Sequence, residues 1–183
     1  MPTTIIIVAG LLLLLVLIVL YNKLVRLRNT VRSSWSDIDV QLRRRHDLVP
    51  SLVDTVKSYA EHERKLFEEV TERRAKAMQS VGPGQAAPSE NMFGISIGKL
   101  FMVAEAYPDL KANQNFLQLQ NQFTDLENNI EAARRYYNAV VRDYNTSTET
   151  FPSIIVAAIL QFKPAEFFQL DSPDERNVIR PEL

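Results

Sequence analysis

Residues 5–20 read IIIVAGLLLLLVLIVL and decide the fold, because they form an uncharged hydrocarbon block at the start of the chain. Only Ala9 and Gly10 in this block are not Leu, Ile or Val, and no charged residue precedes Lys23. A helix rises about 1.5 Å per residue, so residues 3–22 reach roughly 30 Å, the thickness of the hydrocarbon core of a bilayer. The fourteen strongly apolar side chains favour insertion by roughly 4–8 kcal/mol. The block therefore predicts a transmembrane helix.

The flanks of the block favour a retained anchor over a cleaved secretory signal. Residues 1–4 carry no basic side chain, and residues 21–26 offer no small residues to a signal peptidase. Four basic residues follow the block before the first acid, Asp37. Basic residues beside a span stay in the cytoplasm, so we expect the N-terminus outside and the C-terminal domain in the cytoplasm. The basic residues are Lys23, Arg26, Arg28 and Arg32, and the anchor residues are Ile5, Ile6, Ile7, Val8, Leu11, Leu12, Leu13, Leu14, Leu15, Val16, Leu17, Ile18, Val19 and Leu20.

Helical periodicity continues from the block into the polar part of the chain. Apolar residues recur at steps of three or four, and no Gly or Pro interrupts residues 11–49. The pattern predicts one helix over about 4–46, a restart at 47–50 with Asp47 as N-cap, and a second helix to about residue 79. The breaker-rich residues 80–92 predict a mobile loop.

The second half of the chain predicts three further helical segments. A shorter helix covers about 93–106, and a long helix with a 3.5-residue apolar repeat covers 112–146. Residues 153–162 are apolar but too short to span a bilayer, so they cap the bundle, enter an oligomer interface or lie on the membrane. The chain from Lys163 onward is predicted to be irregular.

The predicted fold is all-α, with one transmembrane helix that continues into an antiparallel, up-down-up bundle of long helices. A short extra helix and a short apolar C-terminal helix complete it. The predicted domains are an anchor over 1–22, a bundle over 23–163 and a polar tail over 164–183. The predicted bundle core consists of Leu24, Leu27, Val31, Trp35, Ile38, Leu42, Leu52, Val56, Tyr59, Leu66, Val70, Phe116, Leu119, Phe123, Leu126, Ile130, Ala133, Tyr137, Val140 and Tyr144.

Several stretches of the chain resemble the LemA family of bacterial membrane proteins. The resemblance is strongest in YNKLVRLRN at 21–29, WSDIDVQL at 35–42 and RRHDLVPSLVDTVKSYAEHE at 44–63, with later matches in AEAYPDLKAN at 104–113 and AARRYYN at 132–138. It implies an N-terminal anchor in the bacterial inner membrane and an antiparallel helical domain. It implies no catalytic residue and no reaction.

No residue pattern predicts catalysis, a cofactor or a metal ion. His46 and His62 lie on different predicted helices, without a second ligand one turn away, and are expected to be solvated or at the edge of the bundle. The acids at 61–69 lack the Glu-x-x-His repeats of di-iron bundles. Arg43, Arg44 and Arg45 are predicted either to end a helix or to pair with acids of a neighbouring subunit.

These features predict a non-catalytic, membrane-anchored scaffold that self-assembles. The alternative is an accessory or adaptor subunit that couples the envelope to a cytoplasmic partner. The expected partners are membrane lipid, further copies of the chain and an unidentified membrane or cytoplasmic protein. Nucleic acid is not expected, because the net charge is −1 and the three arginines have no aromatic residues between them.

Overall fold

A computed structural model describes residues 2–169 of the 183-residue chain. Over this range the structure consists of helices joined by short connections, without a strand, and the predicted all-α fold is confirmed. The described residues divide into two compact units, unit 1 with 2–39 and 131–167, and unit 2 with 40–130, 168 and 169. The helices are α1 (Pro2–Lys57), α2 (Arg64–Gln79), α3 (Gly82–Glu105), α4 (Pro108–Lys111), α5 (Gln114–Glu149) and α6 (Ser153–Ile159).

The predicted restart at 47–50 is wrong, because α1 passes through Pro50 and ends at Lys57. Proline has no N–H, so Pro50 cannot donate to the carbonyl of His46 one turn earlier. The Nε of Arg74 on α2 donates to that carbonyl instead, at 2.7 Å. The freed backbone group is thus paired from another helix, and Asp47 lies inside α1 as an exposed residue instead of capping a new helix.

The chain turns between α1 and α2 over residues 58–63. The N–H of Ala60 donates to Val56 O at 2.9 Å, and the Ala60 side chain is buried in the core of unit 2. Tyr59 was predicted to belong to the core, but it is 39% exposed. The helix ends two residues before it, so the predicted helical register no longer applies there.

The predicted loop over 80–92 is also wrong, since α3 begins at Gly82 and absorbs most of it. Gly82 has a φ of 76°, a conformation that favours glycine, and Pro83 follows in the first turn, where its missing N–H costs nothing. The buried face of α3 then repeats at steps of three and four through Ala86, Glu90, Phe93, Ile97, Leu100 and Ala104, with Ala87 buried beside it.

The long helix α5 has nearly the predicted bounds. Asn113 caps its start, because its Oδ1 accepts hydrogen bonds from the N–H groups of Asn115 and Phe116 at 2.8 and 3.2 Å. In unit 2, α5 contributes Phe116 and Phe123 to a core shared with α1, α2, α3 and α4. The rings of both phenylalanines lie within 6 Å of the ring of Phe101 on α3.

Unit 1 contains the start of α1, the end of α5, the short helix α6 and the segment 160–167. Trp35 on α1 contacts Tyr137 on α5, with ring centroids 5.7 Å apart. Asn145 fixes the chain after α6 at two points, since its side-chain amide donates to Ala165 O and accepts from Ala165 N at 3.0 and 2.8 Å. The described residues from Lys163 to Gln169 are neither helix nor strand, and 170–183 lie outside the described residues.

Candidate functional site

A buried ionic cluster in unit 2 has the most unusual chemistry among the described residues. We define it as Arg45 and His46 on α1, Glu90 on α3 and Glu127 on α5. Arg45, His46 and Glu90 are almost fully buried, whereas half of the Glu127 side chain reaches solvent. Sequence position explains the burial of Arg45, because it continues the apolar stripe formed by Ile38, Leu42, Val49, Leu52 and Val56.

The guanidinium of Arg45 connects two acids on two different helices. Its Nη2 donates to the carboxylate of Glu90 and, at 3.2 Å, to the backbone carbonyl of the same residue. Its Nη1 donates to both carboxylate oxygens of Glu127, at 2.9 and 3.2 Å. The guanidinium carbon also lies 5.5 Å from the ring centroid of Phe93, within the range of a cation–π contact.

His46, which follows Arg45 on α1, contacts the other carboxylate oxygen of Glu90. Its Nε2 lies 2.9 Å from Glu90 Oε1, and its ring lies 5.3 Å from that of Phe93. The backbone carbonyl of His46 accepts the hydrogen bond from Arg74. The cluster therefore joins α1, α2, α3 and α5 at one level of unit 2.

Electrostatics favour the charged forms of Arg45 and Glu90 despite their burial. Burial alone would raise the pKa of Glu90, but the neighbouring His46 and Arg45 lower this pKa below its ordinary value. Burial likewise opposes the charge of Arg45, but the attraction of Glu127 and Glu90 raises its pKa. The opposite charges of Arg45 and the two glutamates thus compensate one another.

The sequence did not predict this cluster. Arg45 was expected at the end of a helix or opposite a neighbouring subunit, but it lies inside α1 and pairs within its own chain. His46 was expected to be solvated or at the edge of the bundle, but it is buried. Glu90 was assigned to a mobile loop. One signal was available, because continuing the stripe of α1 three residues past Leu42 and that of α3 three residues back from Phe93 places Arg45 and Glu90 in core positions.

The predicted anchor residues lie in the first part of α1, and all of them except the half-buried Leu20 are exposed. Among residues 2–169, α1 is the one helix long and apolar enough to cross a membrane. In the basic flank, Lys23, Arg26 and Arg32 are exposed, whereas Arg28 is half-buried. The guanidinium carbon of Arg28 lies 4.9 Å from the ring centroid of Phe162, so this residue packs as well as carrying charge.

Most residues of the predicted core are buried, and Tyr59 is the exposed exception described above. Five are half-buried, namely Leu27, Trp35, Leu66, Leu119 and Ala133. The sequence missed further core residues, some of them in segments assigned to a loop, a helix break or the tail, and others, such as Phe67 and Val141, inside predicted helices but outside the predicted apolar stripes. They include Val49, Ala60, Phe67, Ala86, Ala87, Phe93, Leu110, Val141, Val156, Phe162 and Phe168.

Two tyrosines of α5 hold the segment after α6 in unit 1. The hydroxyl of Tyr137 donates to Glu166 O at 2.7 Å, and that of Tyr144 donates to Lys163 O at 2.9 Å. Burial raises the pKa of Tyr137 to about 12, with a further contribution from Glu166. Burial also raises the pKa of Tyr144, against the opposing charges of Arg28 and Arg32. Both hydroxyls therefore remain protonated donors at neutral pH.

The other histidine and the acids that were considered as metal ligands do not lie close together. His62 is exposed in the turn before α2, and Glu69 pairs with Lys99 at 2.8 Å. Within the described part of the chain, no three His, Asp or Glu side chains are grouped so that they could hold a metal ion.

Comparison with known proteins identifies the family. The model of the LemA family matches residues 34–180. The chain belongs to the LemA family. This confirms the resemblance seen in the sequence, and the match includes all four residues of the ionic cluster.

Individual LemA-family relatives are distant but cover most of the chain. Magnetosome protein MamQ 2 of Paramagnetospirillum magneticum is 24% identical over 193 residues, covering 91% of this chain and 71% of that protein. Magnetosome protein MamQ of Magnetospirillum gryphiswaldense is 22% identical with the same coverage. Protein LemA of Metamycoplasma hominis is 27% identical over 164 residues, covering 88% of this chain and 74% of that protein.

Proposed function

We propose that this chain is a non-catalytic helical scaffold, anchored in the bacterial inner membrane, that assembles with copies of itself. The observation that carries the proposal is the continuity of α1 from Pro2 to Lys57. Its exposed apolar part suits lipid, and its later part enters the core of unit 2. Membership of the LemA family agrees with a membrane-associated helical protein.

The anchor is supported by the exposure of α1. Leu11, Leu13 and Leu15 are each about 60% exposed, and the most apolar window of the helix has a mean hydropathy of 3.2. A surface this apolar is unfavourable in water but suits a bilayer. The basic flank after the span supports an outward N-terminus and a cytoplasmic domain.

A non-catalytic role is supported by the way the buried charges are used. Arg45 and Glu90 face each other and are ionised, so neither is poised to exchange a proton near neutral pH. The groove lined by Gln41, Arg44 and Asp125 is open to solvent, and polar groups do not converge there in an enclosed cavity.

Self-assembly is supported by an apolar strip on α3, which we define as Met92, Ile95 and Met102. These residues lie on the side of α3 opposite its buried face and are 42–63% exposed. Gly98 lies beside them, and a side chain added there would meet no other atom within 4 Å of its Cβ. Copies held at one depth by their anchors would meet at high effective concentration, so even a modest apolar strip could join them.

The test is the mass of the full chain in mild detergent, measured by light scattering coupled to size exclusion. We expect a particle several times the 20.9 kDa of one chain, and Ile95→Glu with Met102→Glu should shift it towards the monomer. Met78→Glu is the matched control, since Met78 is similarly exposed on α2 outside the strip. A monomeric wild-type chain at all working concentrations would refute self-assembly.

The adaptor function remains a second candidate, because the same continuous α1 could connect the membrane to a cytoplasmic partner. The two functions differ in what co-purifies with the chain. A scaffold forms large particles from one polypeptide, whereas an adaptor stays small and retains a different protein in stoichiometric amount.

A further inference from the structure

We propose that α6 is a second membrane contact, a short helix whose outer face lies in the interfacial layer of the leaflet next to the basic flank. The proposal rests on the membrane anchor of the proposed function and adds a lipid-binding surface more than 130 residues further along the chain. Its occupant is lipid, namely the upper acyl chains and glycerol region of that leaflet.

The packing of α6 sets its depth. Val156, Ile159 and Leu160 line one apolar groove with Leu17, Ile18 and Tyr21 of α1. Residues 17 and 18 belong to the hydrocarbon block of the predicted span, and Tyr21 follows at the position of an interfacial aromatic residue. Side chains that line a groove with these residues lie at the same depth in the membrane.

A second contact fixes the end of α6 at the boundary between the span and the basic flank. The ring of Phe162 meets that of Tyr21 edge-on, with centroids 6.2 Å apart, and lies under the guanidinium of Arg28. Phe162 is buried. Its neighbours thus change from an apolar aromatic ring to a cation over about 10 Å of α1, as expected across a membrane interface.

The outer face of α6 is apolar and uncovered. Ile154, Ile155 and Ile159 of α6 are exposed, Ile159 to 72%, and so are Phe151 just before the helix, to 81%, and Leu160 just after it. No charged residue occurs from Thr150 to Phe162, and Lys163 follows immediately. The long side chain of Lys163 can reach the headgroup layer while the apolar residues before it face the acyl chains. Seven residues reach only about 10 Å, so α6 cannot cross the bilayer.

Lipid fits this face better than a second copy of the chain. The exposed side chains of α6 continue the exposed apolar surface of Leu17 and Ile18, which lipid covers in any single-pass protein. A second copy would have to displace lipid from the end of the span before it could reach the face.

The test uses the absence of cysteine from the chain, which allows single labelling sites. The full chain carries Ile159→Cys, Leu13→Cys or Tyr136→Cys with an environment-sensitive fluorophore. Each variant is reconstituted into phosphatidylcholine–phosphatidylglycerol vesicles that contain lipids with a nitroxide at a shallow or at a deep acyl position, so that labels at both depths can be quenched. Tyr136 is the aqueous control, because it is exposed and adjoins Tyr137, whose partner Trp35 lies about 21 Å along α1 beyond Tyr21.

We expect the nitroxide lipids to quench the labels at Leu13 and Ile159 and to leave the label at Tyr136 nearly unchanged. Leu160→Cys should behave like Ile159→Cys, and all variants should keep the helical circular dichroism of the unlabelled chain. Leu160→Cys alone decides the question if Ile159→Cys fails to fold.

Three outcomes would overturn the proposal, and they identify what failed. Quenching at Leu13 without quenching at Ile159 or Leu160 refutes the role of α6 and leaves the anchor intact. Absence of quenching at Leu13 as well refutes the anchor. A blue-shifted but unquenched label at Ile159 assigns the face to a second copy of the chain instead of lipid.

Discussion

Pro50 lies inside α1 and leaves the carbonyl of His46 without its helical N–H donor. A proline in a helix interior costs about 3 kcal/mol in isolation. In the structure, the carbonyl that Pro50 leaves free is paired with Arg74, 28 residues after His46. The compensation depends on tertiary structure, which local sequence patterns do not contain.

The pairing of Arg74 with His46 predicts a coupling between two substitutions. Arg74→Met should lower the free energy of unfolding by about 1–3 kcal/mol, because it leaves a buried carbonyl unpaired. Pro50→Ala restores the helical N–H donor, so Arg74→Met should cost clearly less in that background. Thermal and denaturant unfolding of the four variants in mild detergent, followed by circular dichroism, measures the difference.

Arg73→Met is the matched control for this cycle, since Arg73 is the half-buried neighbour on the same helix. Its effect should be small and independent of Pro50. Equal losses from Arg74→Met with and without Pro50 would contradict the proposed compensation.

The lowered pKa of Glu90 predicts a dependence of stability on pH. A carboxyl whose pKa is lower in the folded state stabilises the fold above its unfolded pKa, and this stabilisation disappears as the pH falls through the folded pKa. We therefore expect wild-type stability to drop as the pH falls below the ordinary glutamate pKa of about 4.5. Unfolding curves of the full chain between pH 7 and pH 3, in the same detergent, test the dependence.

Glu90→Gln separates this effect from general acid denaturation. The variant should lose about 3–5 kcal/mol at neutral pH, because it leaves Arg45 with one buried partner fewer. It should also lose less further stability on acidification than the wild type does. Parallel pH profiles for the two proteins would show that Glu90 does not carry the dependence.

At the scale of elements, the regular repeat of α5 made it the most predictable helix. Its expected bounds of 112–146 differ from Gln114–Glu149 by two or three residues. Apolar residues repeat throughout its length without Gly or Pro, and Asn113 provides a local cap. Local signals and tertiary packing agree in α5, so the sequence alone predicts the bounds of this helix closely.

The start of α3 was missed because local and tertiary signals disagree there. Residues 80–92 contain two Gly and two Pro, which predict a loop. The first Gly and Pro begin the helix, and burial of Ala86, Ala87 and Glu90 sustains it past Pro88. The ionic cluster was missed for the same reason, since each of its central residues lies close to a proline in the sequence.

The buried stripe of α5 predicts a sharp difference between its faces. Leu126→Asp or Ile130→Asp should destabilise the domain by at least about 3 kcal/mol, since either one buries an unpaired charge. Leu117→Asp on an exposed part of the same helix should change stability by less than about 1 kcal/mol. Melting curves that do not distinguish the two groups would contradict the assigned core.

At the scale of the whole molecule, hydropathy and apolar periodicity predicted the fold class, and the resemblance of several sequence stretches indicated the family. The hydrocarbon block needs no tertiary context, because its hydropathy alone predicts a membrane-spanning helix. The ionic cluster and the placement of α6 beside Leu17 and Tyr21 depend on contacts between distant parts of the chain. A single sequence does not specify those contacts.

The central claim is that α1 stays in the bilayer as part of the mature chain and continues into the domain. The most direct test is the intact mass of the untagged protein recovered from membranes after an alkaline carbonate wash. We expect the chain to remain in the membrane pellet at the full 20.9 kDa. A product shortened behind residue 22, or full-length protein released into the wash, would contradict the account.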